Sequence, residues 1–284
     1  MFTTHSKMIK ELTKKIFNNL VKPHKVPRKI FNKINYYIKL KTYNQNFFEI
    51  EQNNTFSSYG LSREKGIEKL NLVKKNLAKA FDIERGMSSE HEVFFSSLSL
   101  DKSRSINNIL EIGTFDGFNA SLISNLFTHT IIDTIDLPEN DEDFINFYDR
   151  KNNIKKFVQL RDNLLSKNEN INFYTLNSLQ LLNHKKKYDL IWIDGAHGYP
   201  IVCIDIINSL NLLNDKGIIV CDDVHINLNQ INSDRMYHSI ASYETIHELN
   251  KQKLIKFKLL YKRLEPKSNC DESQRKFVAV VMKT

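Results

Sequence analysis

Two short apolar runs in this 284-residue chain end in side chains that can hold a proton or a cation. The first, Tyr188-Asp-Leu-Ile-Trp-Ile-Asp-Gly-Ala-His-Gly-Tyr199, delivers Asp194 and His197. The second, Gly217-Ile-Ile-Val-Cys-Asp-Asp-Val-His225, delivers Asp222, Asp223 and His225. Apolar runs of this length bounded by acids read as buried strands of a parallel sheet, which presents its chemistry at the carboxyl ends of the strands. Neighbouring strands lie about 4.8 Å apart, so if these two are adjacent the five side chains share one cleft. Carboxylates without cysteine are hard donors that select Mg2+, with Mn2+ or Ca2+ as substitutes, which makes Asp194, Asp222 and Asp223 candidate ligands of a divalent cation. The plainer alternative for Asp222 or Asp223 is a loop cap that accepts a backbone amide. His197, with an ordinary pKa of about 6.5, is the candidate general base, and His225 is the second choice.

A third constellation lies upstream. The run Asn107 to Ile112 leads through Glu111-Ile-Gly-Thr-Phe-Asp-Gly117 straight into a helical pattern. Gly113 and Gly117 let a ligand approach the backbone, and the helix start offers free amides, so a nucleotide-like ligand is expected here. The turn reads E-x-G-x-x-x-G, not the G-x-G-x-x-G of dinucleotide sites, and a pyrophosphate would be repelled by Glu111 and Asp116. S-adenosylmethionine carries a sulfonium and an ammonium but no phosphate, and suits an acidic turn. Asp136 ends the next strand, about twenty residues on, where a carboxylate accepts hydrogen bonds from ribose hydroxyls.

The elements that position these residues follow from the alternation of apolar runs. Strands are expected at 107–112, 130–136, 171–175, 188–193, 217–222, 254–263 and 276–282, with helices at 117–127, 141–166, 199–213 and 234–250. The fold class is α/β: a Rossmann-like, doubly wound, seven-stranded sheet, mostly parallel, with an antiparallel C-terminal strand. Ser88 or Ser89 is the expected cap of a helix through His91, Val93, Phe94, Phe95 and Leu98. Trp192 reads as core, Tyr199 as the start of the helix after β-strand 188–193, and Lys185–Lys187 as a solvated turn.

Residues 1–60 hold eleven Lys/Arg against three acids (Glu11, Glu49, Glu51) and so carry the whole net charge of +8. Ile9, Leu12, Ile16 and Leu20 recur at helical spacing among lysines until Pro23 and Pro27. A second helix is expected over 30–43, a polar segment over 44–58 and a further helix over 62–82. Residues 1–85 are therefore expected to form a basic helical extension or cap, and 86–284 the ligand-binding domain. The extension either packs its apolar stripe on the core or makes peripheral contact with an anionic surface. A homo-oligomer is expected, nucleic acid is not the favoured partner, and with neither an apolar span nor a secretory leader the expected location is cytoplasmic. Three scattered cysteines, Cys203, Cys221 and Cys270, form no C-x-x-C pair and suggest no zinc or dithiol chemistry.

From these motifs the chain resembles the class I S-adenosylmethionine-dependent methyltransferases over residues 86–284. Within that class it is similar to metal-dependent small-molecule O-methyltransferases of the caffeoyl-CoA and catechol type and to bacterial sugar and macrolide O-methyltransferases, which share an "IDGxHxY…DDVH" pattern. The resemblance implies that Glu111 and Gly113 line the methionine side, that Asp136 holds the ribose and that Ser178 faces the adenine. It also implies that Gly86-Met-Ser-Ser-Glu-His91, with Met87 and Ser88, lies over the cofactor, and that Asp194 borders both cofactor and cation. Asn119 stands where a serine is common, and Asp222-Asp223 where Asp-Asn or Glu-Asp is common. The function implied is O-methyl transfer to a hydroxyl of a small molecule (a sugar, glycosylated or polyol natural product) assisted by a divalent cation and a histidine base. The alternatives are RNA or protein methylation through the basic extension, or a non-catalytic nucleotide-binding protein on the same fold.

Overall fold

The computed structural model of the chain describes residues 28–81, 89–146, 153–227, 239–272 and 275–284. The Ile9–Leu20 stripe, Pro23, Pro27, Met87 and Ser88 lie outside them. The chain divides into two compact units, Met1–Tyr43 and Asn44–Thr284. The first contains helix α1 (Arg28–Lys41), whose last turn carries Lys39 and Lys41 where cations complement the helix dipole.

The second unit is built on one sheet. In chain order it comprises α2 (Gln45–Ser57), α3 (Arg63–Phe81), α4 (Glu90–Leu98), β1 (Asn108–Ile112), α5 (Phe118–Leu126), β2 (Ile131–Asp136), α6 (Glu142–Asn146), α7 (Ile154–Leu165) and β3 (Ile171–Thr175). A 3-10 turn (Ser178–Asn183) then leads to β4 (Tyr188–Ile193), α8 (Ile201–Leu212), β5 (Leu213–Val224), α9 (Ala241–Lys251), β6 (Ile255–Tyr261), α10 (Pro266–Asn269) and β7 (Phe277–Lys283). The seven strands run in the order β3-β2-β1-β4-β5-β7-β6. The first five are mutually parallel, and β7 is antiparallel to both β5 and β6. The final strand is thus inserted between β5 and the edge strand β6.

The doubly wound arrangement explains why the central strands read as unbroken apolar runs. Leu190 and Trp192 point into a core shared with Phe94, Phe95 and Leu122, while Ile191 and Ile193 point into the opposite core with Val202 and Ile206. Both faces are covered, so alternation with polar residues is lost. Because the chain winds from β1 toward β3 and then returns to β4 beside β1, the strand order reverses between β1 and β4. That reversal opens a crevice at their carboxyl ends.

The segment 44–58, read only as polar, contains the helix α2. Asn44 caps it, its side chain accepting from the Phe47 amide at 3.3 Å. Phe48, Gln52 and Phe56 fall four residues apart on one face. Phe56 meets the Phe94 ring edge-on at 5.7 Å, and buried Gln52 donates to Glu90 and to the Tyr261 carbonyl while accepting from the Tyr261 amide. Arg63 grips Glu90 with two nitrogens at 2.8 and 2.6 Å. Asparagine-rich composition hid a helix whose inward face carries a buried glutamine between two phenylalanines.

Candidate active site at the carboxyl ends of β1, β2, β4 and β5

The crevice holds a cavity of about 240 Å3. Ile112, Ile135 and Leu176 supply apolar walls, and Asp136, Asp143, Asp194 and Asp205 supply four carboxylates; no lysine or arginine among the described residues lines it. Backbone geometry makes the close approach. Gly113 follows β1 at φ +101, and a Cβ there would lie 2.4 Å from the carbonyl oxygen of Asp194, which a side chain cannot do. The two loops are in turn locked by the Asp194 amide donating to the Ile112 carbonyl at 2.8 Å and the Gly113 amide to the Ile135 carbonyl at 2.9 Å.

Asp136 lines the cavity and is held rigid: its carboxylate accepts from the Phe115 amide and the Leu137 amide, both at 2.8 Å. Phe115 takes the left-handed conformation at φ 50, a strain that a bulky residue adopts only where its surroundings force it. Gly117, also left-handed, caps α5, and a Cβ there would meet Leu165 at 2.9 Å. Asp116 accepts from the Phe118 amide at 3.0 Å and serves the helix start. Ser178 lines the far side of the cavity at the head of the 3-10 turn.

Glu111 stands elsewhere than the resemblance implies. It is fully buried beneath the cleft, not on its wall, and accepts from Asn119 Nδ2 at 2.7 Å and Thr134 Oγ1 at 2.5 Å. Burial pushes its carboxyl up to about 8 against those two hydrogen bonds, with Asp194 and Asp136 adding to the rise. Asn119 likewise acts through Glu111. Both are supports of the loop that carries Gly113.

Strand register brings the two acidic ends together as expected, since Ile193 pairs with Cys221 and so places Asp194 beside Asp222. His197 Nε2 lies 3.5 Å from Asp194 Oδ1; the imidazole is buried, whereas the Asp194 side chain is 36 % exposed toward the cleft. Burial disfavours the imidazolium, but Asp194, then Asp223 and Asp222, outweigh it and hold His197 above its ordinary value. Asp194 is itself raised, by burial and by Asp222, against His197. His225 is buried at the foot of the cleft. Trp192 is core, as expected, and stacks on His91 at 4.4 Å. Tyr199 is exposed and precedes α8, which starts at Ile201.

The Asp222–Asp223 pair does not fit a divalent ion. The Lys262 ammonium contacts Oδ2 of Asp222 and Oδ1 of Asp223, and Lys276 Nζ sits 2.6 Å from Asp223 Oδ2. A cation is therefore already supplied by the chain, and among the described residues no group of three or more His, Cys, Asp or Glu side chains is arranged to hold a metal. Burial would raise the Asp222 carboxyl, but Lys262, with His91 and His197, holds it below the usual carboxylate range. The expected Mg2+, Mn2+ or Ca2+ site at Asp194, Asp222 and Asp223 thus departs from the geometry found.

Sequence reading missed three residues here: Asp143, which lines the cavity, Lys262 and Asp205. Lys262 follows the lysine-rich strand Ile255–Tyr261, where a lysine reads as solvated, yet it is only 8 % exposed. Asp205 is buried and its carboxyl is pushed up to about 6 by burial, opposed by Ser178 and His197. It is the sole acid in the apolar helix Ile201–Leu212, which was the available signal. The Lys185–Lys187 turn is not wholly solvated either, because Lys186 bridges Asp133 at 2.6 Å.

Residues 110–224, which contain the cleft loops of β1, β2, β4 and β5, match the family model described as a methyltransferase domain. Over that stretch the chain is similar to the methyltransferase-domain family. No curated protein matches it by sequence. Among solved structures, an O-methyltransferase of Bacillus cereus in complex with S-adenosylhomocysteine is similar at 18% identity, covering 76% of this chain and 91% of that one, with a TM-score of 0.47. The O-methyltransferase TomG of Streptomyces achromogenes, involved in tomaymycin synthesis and solved with S-adenosylmethionine, is similar at 14% identity over 86% of this chain and 100% of that one, TM-score 0.46. The methyltransferase PaMTH1 of Podospora anserina, bound to S-adenosylhomocysteine, shows 15% identity over 78% and 88% of the two chains, TM-score 0.45. The matched stretch begins inside β1 and ends with β5, so Lys262 and β7 lie beyond it.

Proposed function

We propose that the protein is an S-adenosylmethionine-dependent O-methyltransferase acting on a hydroxyl of a small molecule, a sugar, glycosylated or polyol compound being favoured. The observation that carries this reading is the cleft itself: four carboxylates, no lysine or arginine among the described lining residues, and a glycine turn packed against the Asp194 backbone. Such a lining attracts a sulfonium and an ammonium and repels a phosphate. When bound, S-adenosylmethionine supplies an electrophilic methyl group on sulfur.

The chain's own residues do the rest. Asp136, fixed by two amides, is placed to accept from ribose hydroxyls. Ser178 and Leu176 border the adenine end of the cavity, and Gly113 and Asp194 the methionine end. His197 would take the proton of the acceptor hydroxyl and so make its oxygen nucleophilic toward the methyl group that bound S-adenosylmethionine would supply. Asp194 orients the imidazole and stabilises the imidazolium that forms. The small-molecule preference rests on the cleft's size and on the lack, among the described residues, of basic side chains that would track a polyanion.

Transfer of labelled methyl groups to a panel of polyols and glycosides, with RNA and denatured protein alongside, tests the reading. Small hydroxylated acceptors should be labelled, and His197→Gln should lower kcat by roughly 10²- to 10⁴-fold while leaving S-adenosylhomocysteine affinity unchanged. Labelling confined to RNA or protein would overturn the substrate class. Full activity in His197→Gln would remove the base.

A further inference from the structure

In the Asp222–Asp223 pair, the backbone has been reshaped to bring two consecutive carboxylates onto one cation. Successive residues of a strand point to opposite faces. Here the pairing of β5 with β7 shifts register between Cys221 and Val224, and Asp223 takes a left-handed φ of 50. A bulge of this kind re-aims a side chain, and both carboxylates now face the ammonium of Lys262.

Lys262 is built in as firmly as the acids. Its amide donates to the Lys276 carbonyl at 2.9 Å, and its carbonyl accepts from the Glu90 amide at 2.9 Å, so the residue preceding β7 and the start of α4 hold its backbone from two sides. Lys276, brought alongside by the same ladder bond, neutralises the outer oxygen of Asp223. The side chain of Lys262 is 10% exposed and that of Asp222 5%. A buried carboxylate pair without a counter-charge would be strongly disfavoured, and the lysine supplies that charge.

We propose that Lys262 is the resident cation of this site, an ammonium fixed where two aligned carboxylates would otherwise recruit a divalent ion, so that the site works without metal. On the methyl-transfer reading above, Lys262 then acts as a positioning residue. It aligns Asp222 beside Asp194 and gives the floor of the acceptor site a fixed positive charge. The lysine would hold that place whether or not the acceptor class is correct.

The test is Mn2+ binding, followed by electron paramagnetic resonance and calorimetry on the full chain, with S-adenosylhomocysteine titrated in the same samples. Wild type and Lys262→Arg should show no saturable Mn2+ site up to about 1 mM, the weak end of protein divalent-ion affinities. Lys262→Gln should uncover one site at least tenfold tighter than any binding to wild type, and Asp222→Asn in that background should abolish it. A stoichiometric site in wild type that Asp222→Asn removes overturns the proposal. So does a folded Lys262→Gln that binds Mn2+ no better than wild type. Should Lys262→Gln fail to fold, exclusion of Mn2+ by both wild type and the charge-preserving Lys262→Arg upholds the assignment, and a saturable site in either overturns it. Failure of S-adenosylhomocysteine to bind wild type would instead sink the methyltransferase reading and leave the metal result standing.

Discussion

At the scale of single residues, protonation decides what His197 can do. A general base must be neutral, and the carboxylates of Asp194, Asp223 and Asp222 hold this imidazole above its ordinary value against the effect of burial. The acidic limb of a kcat/KM–pH profile should therefore fall above pH 6.5, with activity rising as the imidazolium loses its proton. Asp194→Asn removes the nearest stabilising charge and should shift that limb to lower pH, whereas an unmoved limb would detach it from His197. Glu111 sets a different pH dependence, on stability. Its carboxyl is raised from 4.5 to about 8 by burial, so the folded state binds the proton more tightly than the unfolded chain. That contribution is complete below about pH 4.5 and is lost as pH rises toward 8. Glu111→Gln keeps a neutral side chain able to bond Asn119 and Thr134 at every pH. Thermal unfolding from pH 5 to 9 should show wild-type Tm falling by several degrees more than the variant's, since each kcal/mol moves Tm by about 2–4 °C in a domain this size. Parallel curves would contradict the assignment.

At the scale of elements, the site depends on supports far from it in sequence. Helix α2 joins the core through Phe56, which is fully buried against Phe94. Phe56→Ala should cost about 3–5 kcal/mol in denaturant unfolding, as for other buried aromatics. Leu72, on the outer face of α3 and 62% exposed, should change stability by less than about 0.5 kcal/mol when replaced by alanine. A similar cost at both positions would mean that α2 is not part of the packed body. The central strands were legible because parallel strands covered on both faces must read as continuous apolar runs, and Asp136 and Asp194 were legible because each stands at the end of such a run, whereas Asp143 and Asp205 lie in helices. Helix α2 was not, since Gln52 is buried by pairing with Glu90 and Tyr261 rather than by being apolar. Nor was Lys262, whose burial depends on β7 inserting between β5 and β6, a pairing order that no local pattern encodes. The lysine beside the acids was hidden for that same reason: the acids lie in one segment and the cation that answers them lies about forty residues later.

Across the whole molecule, charge is sorted by place. The net charge of +8 belongs to residues 1–60, while the cavity between β1 and β4 is lined by four carboxylates with no lysine or arginine among its described residues. At the end of β5, outside the cavity lining, Lys262 and Lys276 neutralise Asp222 and Asp223. Among the described residues no helix is long and apolar enough to cross a membrane. An acidic cavity at the strand-order reversal should select a ligand by charge before it selects by shape. The most direct measurement is calorimetric titration of the purified chain with S-adenosylhomocysteine, ATP and NAD+ at moderate salt. We expect one S-adenosylhomocysteine per chain, weakened at least tenfold by Asp136→Ala, and no binding of either phosphate-bearing nucleotide. Binding of ATP or NAD+ in that cleft, with no heat from S-adenosylhomocysteine, would contradict the account at its centre.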